Sequence, residues 1–240
     1  MTTLVKIIVT TLLGVLLVSC NFDFNFGVKG NGNVTTTERE LKGEFNAIEV
    51  SRGLDVYLTQ GETESIRVQA DENLQEIIIT KIEDGVLNIY AEENISSSAS
   101  KKVMINFKNL DKISSSSGSD IVSTNVITAK NLEINTASGS DVELEVDVEN
   151  LICESSSGSD IELSGTTNTF SAQASSGSDI KAAKLKAIIT KAEANSGADI
   201  TVNTSKELTA SANSGGDIKY YGNPDKVEKN DGPSGSITKQ

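Results

Sequence analysis

A pentapeptide that returns at a nearly constant interval constrains this chain more than any other feature. Ser117-Gly118-Ser119-Asp120-Ile121 recurs as Ser138-Gly139-Ser140-Asp141-Val142, Ser157-Gly158-Ser159-Asp160-Ile161 and Ser176-Gly177-Ser178-Asp179-Ile180. Two copies carry one altered position, Ser196-Gly197-Ala198-Asp199-Ile200 and Ser214-Gly215-Gly216-Asp217-Ile218. A last copy, Ser234-Gly235-Ser236-Ile237, has lost the aspartate. The central glycines step by 21, 19, 19, 20, 18 and 20 residues. A fixed period near twenty marks an array of one small unit, not a globule with long helices.

The apolar residues keep the same frame. With each central glycine as zero, position +3 is Ile or Val in six copies, from Ile121 to Ile218. Position −5 runs Ile113, Ile134, Cys153, Ala172, Ala192, Ala210, and position −3 runs Ser115, Thr136, Ser155, Ala174, Ala194, Ala212. Position −7 is Leu132, Leu151, Phe170 and Leu208 in four of them. Polar residues alternate with these, which is the pattern of a strand with one buried face. Positions +3 and +5 predict a second short strand beyond the turn. A unit of this size cannot bury its apolar face alone, so it stacks on the next at about 4.8 Å. The expected fold is all-β: a parallel β-helix, or solenoid, with coils of about 20 residues. Cys153 falls in an inward column and reads as a small buried hydrophobe.

The frame extends towards the N-terminus. With Gly53 as zero, Ile48, Val50, Val56 and Leu58 fall at −5, −3, +3 and +5. The β-helix domain is therefore placed at 43–237, with irregular coils over 43–110 and regular Ser-Gly-Ser-Asp coils over 111–237. Between Gly53 and Gly118 lie 65 residues, about three coils' worth. Strands are expected there at 66–70, 76–82, 86–91 and 103–107, and a short helical turn at 71–74. Gly53, Gly118, Gly139, Gly158, Gly177, Gly197 and Gly215 are read as turn residues, since glycine supplies positive φ without steric cost. With Gly235 as the last zero, positions −7 and −5 become Glu228 and Asn230, a polar terminal cap.

Residues 1–19 read as a lipoprotein signal peptide. Lys6 precedes an apolar run over 7–18 that is too short to span a bilayer as a mature helix, and the run ends in Leu17-Val18-Ser19-Cys20. That ending resembles a lipobox, in which the chain is cut before a cysteine that is then acylated. Cys20 is thus the expected lipidation site, and the lipid the expected membrane partner. Residues 20–42 would form the anchor and an N-terminal cap or tether, with the alternating Asn21-Phe22-Asp23-Phe24-Asn25-Phe26 covering the open end of the solenoid.

Composition narrows the function. The net charge is −13 and there is no histidine. Such a balance argues against nucleic acid and against adsorption to an anionic membrane by charge alone. The sharpest candidate chemistry is the aspartate series Asp120, Asp141, Asp160, Asp179, Asp199 and Asp217. Stacked at the coil spacing, these carboxylates repel and need compensation. Calcium is one route, since it takes several oxygen ligands. Local turn bonding by Asp and Ser is the other, and the twenty-residue period without the paired glycines of a calcium β-roll favours it. An enzyme is disfavoured: the three arginines lie outside the regular repeats, and carboxylates that recur in every coil point to structure. No catalytic residue and no cofactor is expected.

Several segments resemble one known family in order. Gly43-Glu44-Phe45-Asn46-Ala47-Ile48, Gly53-Leu54-Asp55-Val56-Tyr57-Leu58-Thr59-Gln60-Gly61, Ala70-Asp71-Glu72-Asn73-Leu74 and Asp84-Gly85-Val86-Leu87-Asn88-Ile89 resemble its N-terminal signature. Tyr220-Tyr221-Gly222-Asn223-Pro224 with Ser234-Gly235-Ser236-Ile237 resembles its closing signature. The family is the domain of unknown function 2807, the "putative auto-transporter adhesin, head GIN domain". The resemblance covers roughly 30–237 and implies a right-handed parallel β-helix in the cell envelope with an adhesive role. The resulting expectation is a non-enzymatic, lipid-anchored outer-membrane module that binds a glycan or a protein through ladders of Ser, Thr, Asn and Asp. The competing expectations are a structural envelope spacer and a calcium-binding solenoid.

Overall fold

The computed structural model of the chain describes residues 27–240. The signal segment 1–19, Cys20 and the aromatic stretch 21–26 lie outside the described residues. The rest is a β-solenoid of stacked parallel coils about 19 residues long. The expected inward columns are real. At position +3, Val56 pairs with Ile121, and the column continues in register through Val142, Ile161, Ile180, Ile200, Ile218 and Ile237. All of these side chains are buried, as are Leu132, Leu151, Phe170 and Leu208 at −7 and the Ile-to-Ala series at −5. Cys153 is a free, fully buried cysteine whose thiol pKa is pushed far up by loss of solvent.

The strands are longer than the two short ones expected. Asp141–Ser156, Asp160–Ser175, Asp179–Asn195 and Asp199–Asn213 each run unbroken round the coil, and only the Ser-Gly corner interrupts them. Parallel pairing with both neighbours satisfies the backbone through the intermediate bends, so those bends need no break in the ladder.

The corner itself is tighter than one glycine implies. Ser117 and Gly118 both have positive φ, 56° and 70°, and the pair repeats in each coil down to Ser214 and Gly215. Two successive left-handed residues turn the chain sharply; glycine takes the second without steric cost, while serine takes the first against its own Cβ. The corner is tied to the next coil: the Gly139 N–H donates to the Ser157 carbonyl at 3.2 Å, and the Asp141 N–H to the Ser119 carbonyl at 3.1 Å.

Coil order in space differs from coil order in sequence. The coil of Gly53 lies directly against that of Gly118, with Ala47 opposite Lys112 and Asp55 opposite Asp120. The three intervening coils expected from the 65-residue gap do not exist. Instead Val86–Ala91 and Lys101–Phe107 form a coil on the far side of the Gly53 coil, pairing parallel with Ala47–Val50 and Asp55–Gln60. The remaining segments fold back as antiparallel strands. Ser65–Asp71 pairs with Lys101–Phe107, Val34–Arg39 with Ser65–Asp71, and Ile78–Glu83 with Val86–Ala91. These strands cover the end of the stack and remove the bare edge that invites association. The expected helical turn is present as a 3₁₀ turn at Glu72–Leu74.

The other end corrects the frame of the last repeat. Ile237 pairs with Ile218 and Ser236 with Asp217, so Ser234, with φ 59°, takes the turn position expected of Gly235. Val227, Lys229 and Asp231 therefore occupy the inward columns, opposite Leu208, Ala210 and Ala212. Lys229 lies over the Tyr220 ring at 4.8 Å and donates to the Ile237 carbonyl. Inward-pointing charges are a known way to stop a sheet from growing.

Candidate binding groove

The outward residues at position −4 form one register column: Glu49, Ser114, Asn135, Glu154, Gln173 and Glu193, one per coil. A second column at −2 runs beside it through Ser116, Ala137, Ser156, Ser175 and Asn195. Strand alternation puts both on the solvent side, while −3 between them and −5 beside them point inward. The two columns line an open groove of about 440 Å³ beside the Ser-Gly corner. Five coil steps give it a length of about 24 Å at ~4.8 Å per step. Its lining is hydroxyl, amide and carboxylate, with no lysine, arginine or aromatic residue.

Beneath the corner lies a buried polar seam. The serine after each turn glycine, Ser119, Ser140, Ser159 and Ser178, is closed to solvent. The Ser140 Oγ donates to the Ser115 carbonyl of the preceding coil at 2.9 Å, and the Ser178 Oγ to the Ser155 carbonyl at 2.8 Å. The Ser159 Oγ lies 3.0 Å from both Ser155 Oγ and Thr136 Oγ1. Position −3 is already alanine at Ala174, where Ser178 remains and donates to the Ser155 and Ser175 carbonyls. At Ala194 and Ala212 the corner serine is replaced as well, by Ala198 and Gly216, so no hydroxyl is left buried there without a partner.

The six candidate aspartates do form the expected ladder, extended at the top by Asp55. Each coil contributes one outward carboxylate. Among the described residues, no three His, Cys, Asp or Glu side chains converge as a metal site. Lysines supply part of the compensation. Lys181 Nζ lies 2.6 Å from Asp160 and 3.7 Å from Asp179, and Lys101 reaches Asp55 at 3.6 Å and donates to the Gly53 carbonyl. Asp120 has no such partner; partial burial, then the Asp141 and Asp55 charges, raise its pKa.

Sequence reasoning missed one residue of consequence. Asp71 is closed to solvent, and its carboxylate accepts the N–H groups of Gly32, Ala99 and Ser100 at 2.8, 2.9 and 3.0 Å. The Gly32 bond, then those from Ser100 and Ala99, hold its pKa below the ordinary carboxylate value, outweighing the opposing effect of burial. Asn73 adds to the clasp, accepting from the Asn31 N–H and donating to the Lys29 carbonyl, both at 2.9 Å. An aspartate inside the helical-turn motif was the available signal, but its partners lie far off in sequence.

The family profile of the "Putative auto-transporter adhesin, head GIN domain", DUF2807, matches residues 44–224. The chain belongs to this family. Solved structures share its fold. A "putative adhesin" from Bacteroides fragilis superposes with a TM-score of 0.83 at 22% identity, covering 89% of this chain and 100% of that one. A "putative lipid binding protein" from Parabacteroides distasonis gives 0.74 at 25% identity, covering 89% and 99%. A "putative adhesin" from Parabacteroides merdae gives 0.70 at 21% identity, covering 89% and 98%. Among curated proteins none matches. No helix among the described residues is long and apolar enough to cross a membrane.

Proposed function

We propose that this DUF2807 chain is a non-enzymatic envelope module, anchored through a lipid on Cys20, that binds an extended glycan along the groove of the −4 and −2 columns. The groove carries the reading: it is long, open and polar, and its −4 column presents a hydroxyl, an amide or a carboxylate at each coil step. Ring hydroxyls of a sugar chain spaced along such a ladder find a partner at every step, whereas a compact ligand would use one or two. The names of the family and of its structural relatives support an adhesive role at the cell envelope. Nothing in the groove resembles a catalytic set: its carboxylates, Glu49, Glu154 and Glu193, are separated by intervening coils, and no lining side chains form a nucleophile–base pair. A structural spacer is the second reading, favoured by the self-satisfied seam of Ser115 to Ser178 beneath the corner, which serves the stack alone.

The test is a glycan and matrix-protein array probed with the wild-type chain and with Ser156→Tyr/Ser175→Tyr, which fills the groove from the −2 column. Retention of a glycan by the wild type and its loss in the variant is the expected result. No retention of any glycan or protein, together with envelope defects on deletion, would establish the spacer instead. Release of the native protein by lipoprotein extraction, abolished by Cys20→Ala, checks the anchor.

A further inference from the structure

We infer that the groove prefers an amine-bearing sugar chain, with the Glu154 carboxylate as the acceptor for its ammonium group. The inference rests on the glycan-groove reading and specifies its chemistry. Three observations on the lining carry it.

The first is charge. Glu49, Glu154 and Glu193 are the charged residues of the lining, and no cation faces them from within the groove. Lys191, outside the lining, offsets Glu193, but uronate or sulfated chains would meet repulsion from Glu49 and Glu154. The second is the state of Glu154 itself. Lysines satisfy the neighbouring outward carboxylates: Lys112 reaches Glu133 at 2.8 Å, Lys184 reaches Glu162 at 2.9 Å, and Lys191 reaches Glu193 at 2.7 Å. Glu154 is exposed near the middle of the column, and among the described residues it takes part in no ion pair or side-chain hydrogen bond.

The third is the adjoining amide. Asn135 stands opposite Glu154 in register. Its Nδ2 donates to Glu133 Oε1 at 2.7 Å, and Glu133 is acceptor-only because Lys112 and Asn135 keep it ionised. That bond fixes the amide orientation, so its oxygen cannot be exchanged for the donor side. Asn135 Oδ1 is buried with no partner, and its Nδ2 is committed to Glu133, so the amide offers Glu154 no donor. The Glu154 carboxylate therefore faces the groove as an exposed acceptor that the adjoining amide leaves unserved. An ammonium group brings three donors and a positive charge. Hydroxyls of the same chain suit Ser114, Ser156 and Ser175 on the flanking steps. A basic peptide carries the same cation but gains little from a shallow sheet face, since strand addition needs a free edge.

Isothermal titration with four probes separates these cases at mildly acidic pH, where a sugar amine is protonated and a carboxylate ionised. The probes are a glucosamine oligomer, its N-acetylated counterpart, oligogalacturonate and oligolysine. The expected result is about fivefold tighter binding of the amine oligomer than of the acetylated one, the scale of one exposed charge pair, with no binding of oligogalacturonate. Glu154→Gln should abolish that preference and bring the two oligomers to equal affinity. Thermal melting of this exposed variant checks that the fold is intact. Equal binding of amine and acetylated oligomers, tighter binding of the uronate, or insensitivity to Glu154→Gln overturns the inference and leaves the groove reading standing. Binding of oligolysine alone makes the face a peptide site and also overturns it. If no probe binds and the array is blank, the groove reading itself falls.

Discussion

The Asp71 carboxylate accepts the Gly32 N–H at 2.8 Å across 39 residues of chain, and so clasps the segment that leads from the N-terminus to the solenoid. An ionised acceptor serving three backbone N–H groups is far stronger than its neutral counterpart. Asp71→Asn should therefore release residues 27–33 without melting the coils. Hydrogen exchange of that segment should rise in the variant while exchange at 141–213 stays slow. The folded pKa is lowered, so the stabilisation is full above the ordinary value of 3.8 and is lost as pH falls below it. The wild-type segment should thus open reversibly in strong acid, and the variant should show no such transition.

The aspartate ladder should respond in the opposite sense. Asp120 has a raised pKa because of partial burial and the charges of Asp141 and Asp55. A carboxyl that binds its proton more tightly when folded destabilises the fold as pH rises through the interval from 3.8 to its raised value. Asp141→Asn removes one repelling charge and should leave stability at neutral pH unchanged or higher by a few tenths of a kcal/mol. Asp160→Asn removes the partner of Lys181 and should show no such gain. If turn bonding and these lysines account for the ladder, excess calcium should leave the melting temperature unaltered. A calcium-dependent rise that Asp141→Asn abolishes would instead establish the metal reading.

The buried seam predicts coupled energetics. Ser159→Ala deletes a hydroxyl bonded to the Ser156 carbonyl at 2.8 Å and in contact with Thr136 and Ser155. It should cost about 1–3 kcal/mol, because the partner hydroxyls lose their shared neighbour. Adding Thr136→Ala and Ser155→Ala should cost less than the sum of single effects. Denaturant unfolding of the single and triple variants measures the coupling.

Glycines of the repeat should differ widely in tolerance. Gly158 has φ +69° but nothing within 4 Å of an added Cβ, so Gly158→Ala should cost about 1–2 kcal/mol of backbone strain. At Gly165 φ is +108° and an added Cβ would lie 2.0 Å from the Val146 carbonyl oxygen of the preceding coil. Gly165→Ala should cost more than about 4 kcal/mol or abolish folding. Melting temperatures of the two variants check the order.

The columns at +3, −5 and −7 were legible because strand alternation and a fixed period leave little freedom once the turn is found. The position of the Gly53 coil in the frame was legible for the same reason; its neighbours were not. Which coil stacks on which is decided by the antiparallel strands of 34–83, and their pairings leave no periodic trace. The last turn was misplaced by one residue because Ser234 adopts the left-handed conformation that glycine usually signals. The −4 groove column was open to reading as a polar face, but its chemistry depends on which lysine reaches which carboxylate: Lys191 reaches Glu193 within one strand, while Lys112 reaches Glu133 across coils. Asp71 stayed hidden because the N–H groups it serves come from two separate loops.

The displaced coil order sets a sequence of events for assembly. The coil at 47–60 is the first to emerge during synthesis, yet both of its edges wait for partners made later. One edge is closed by 86–107 and the other by 112–123. A chain halted before residue 86 has two bare parallel edges and none of its regular repeats. Growth of the rod can then proceed in one direction only, coil upon coil, until the charged strand at 226–231 ends it. Any holding factor met during synthesis is needed most while that first coil is open on both sides, before the repeats that dominate the finished molecule have appeared.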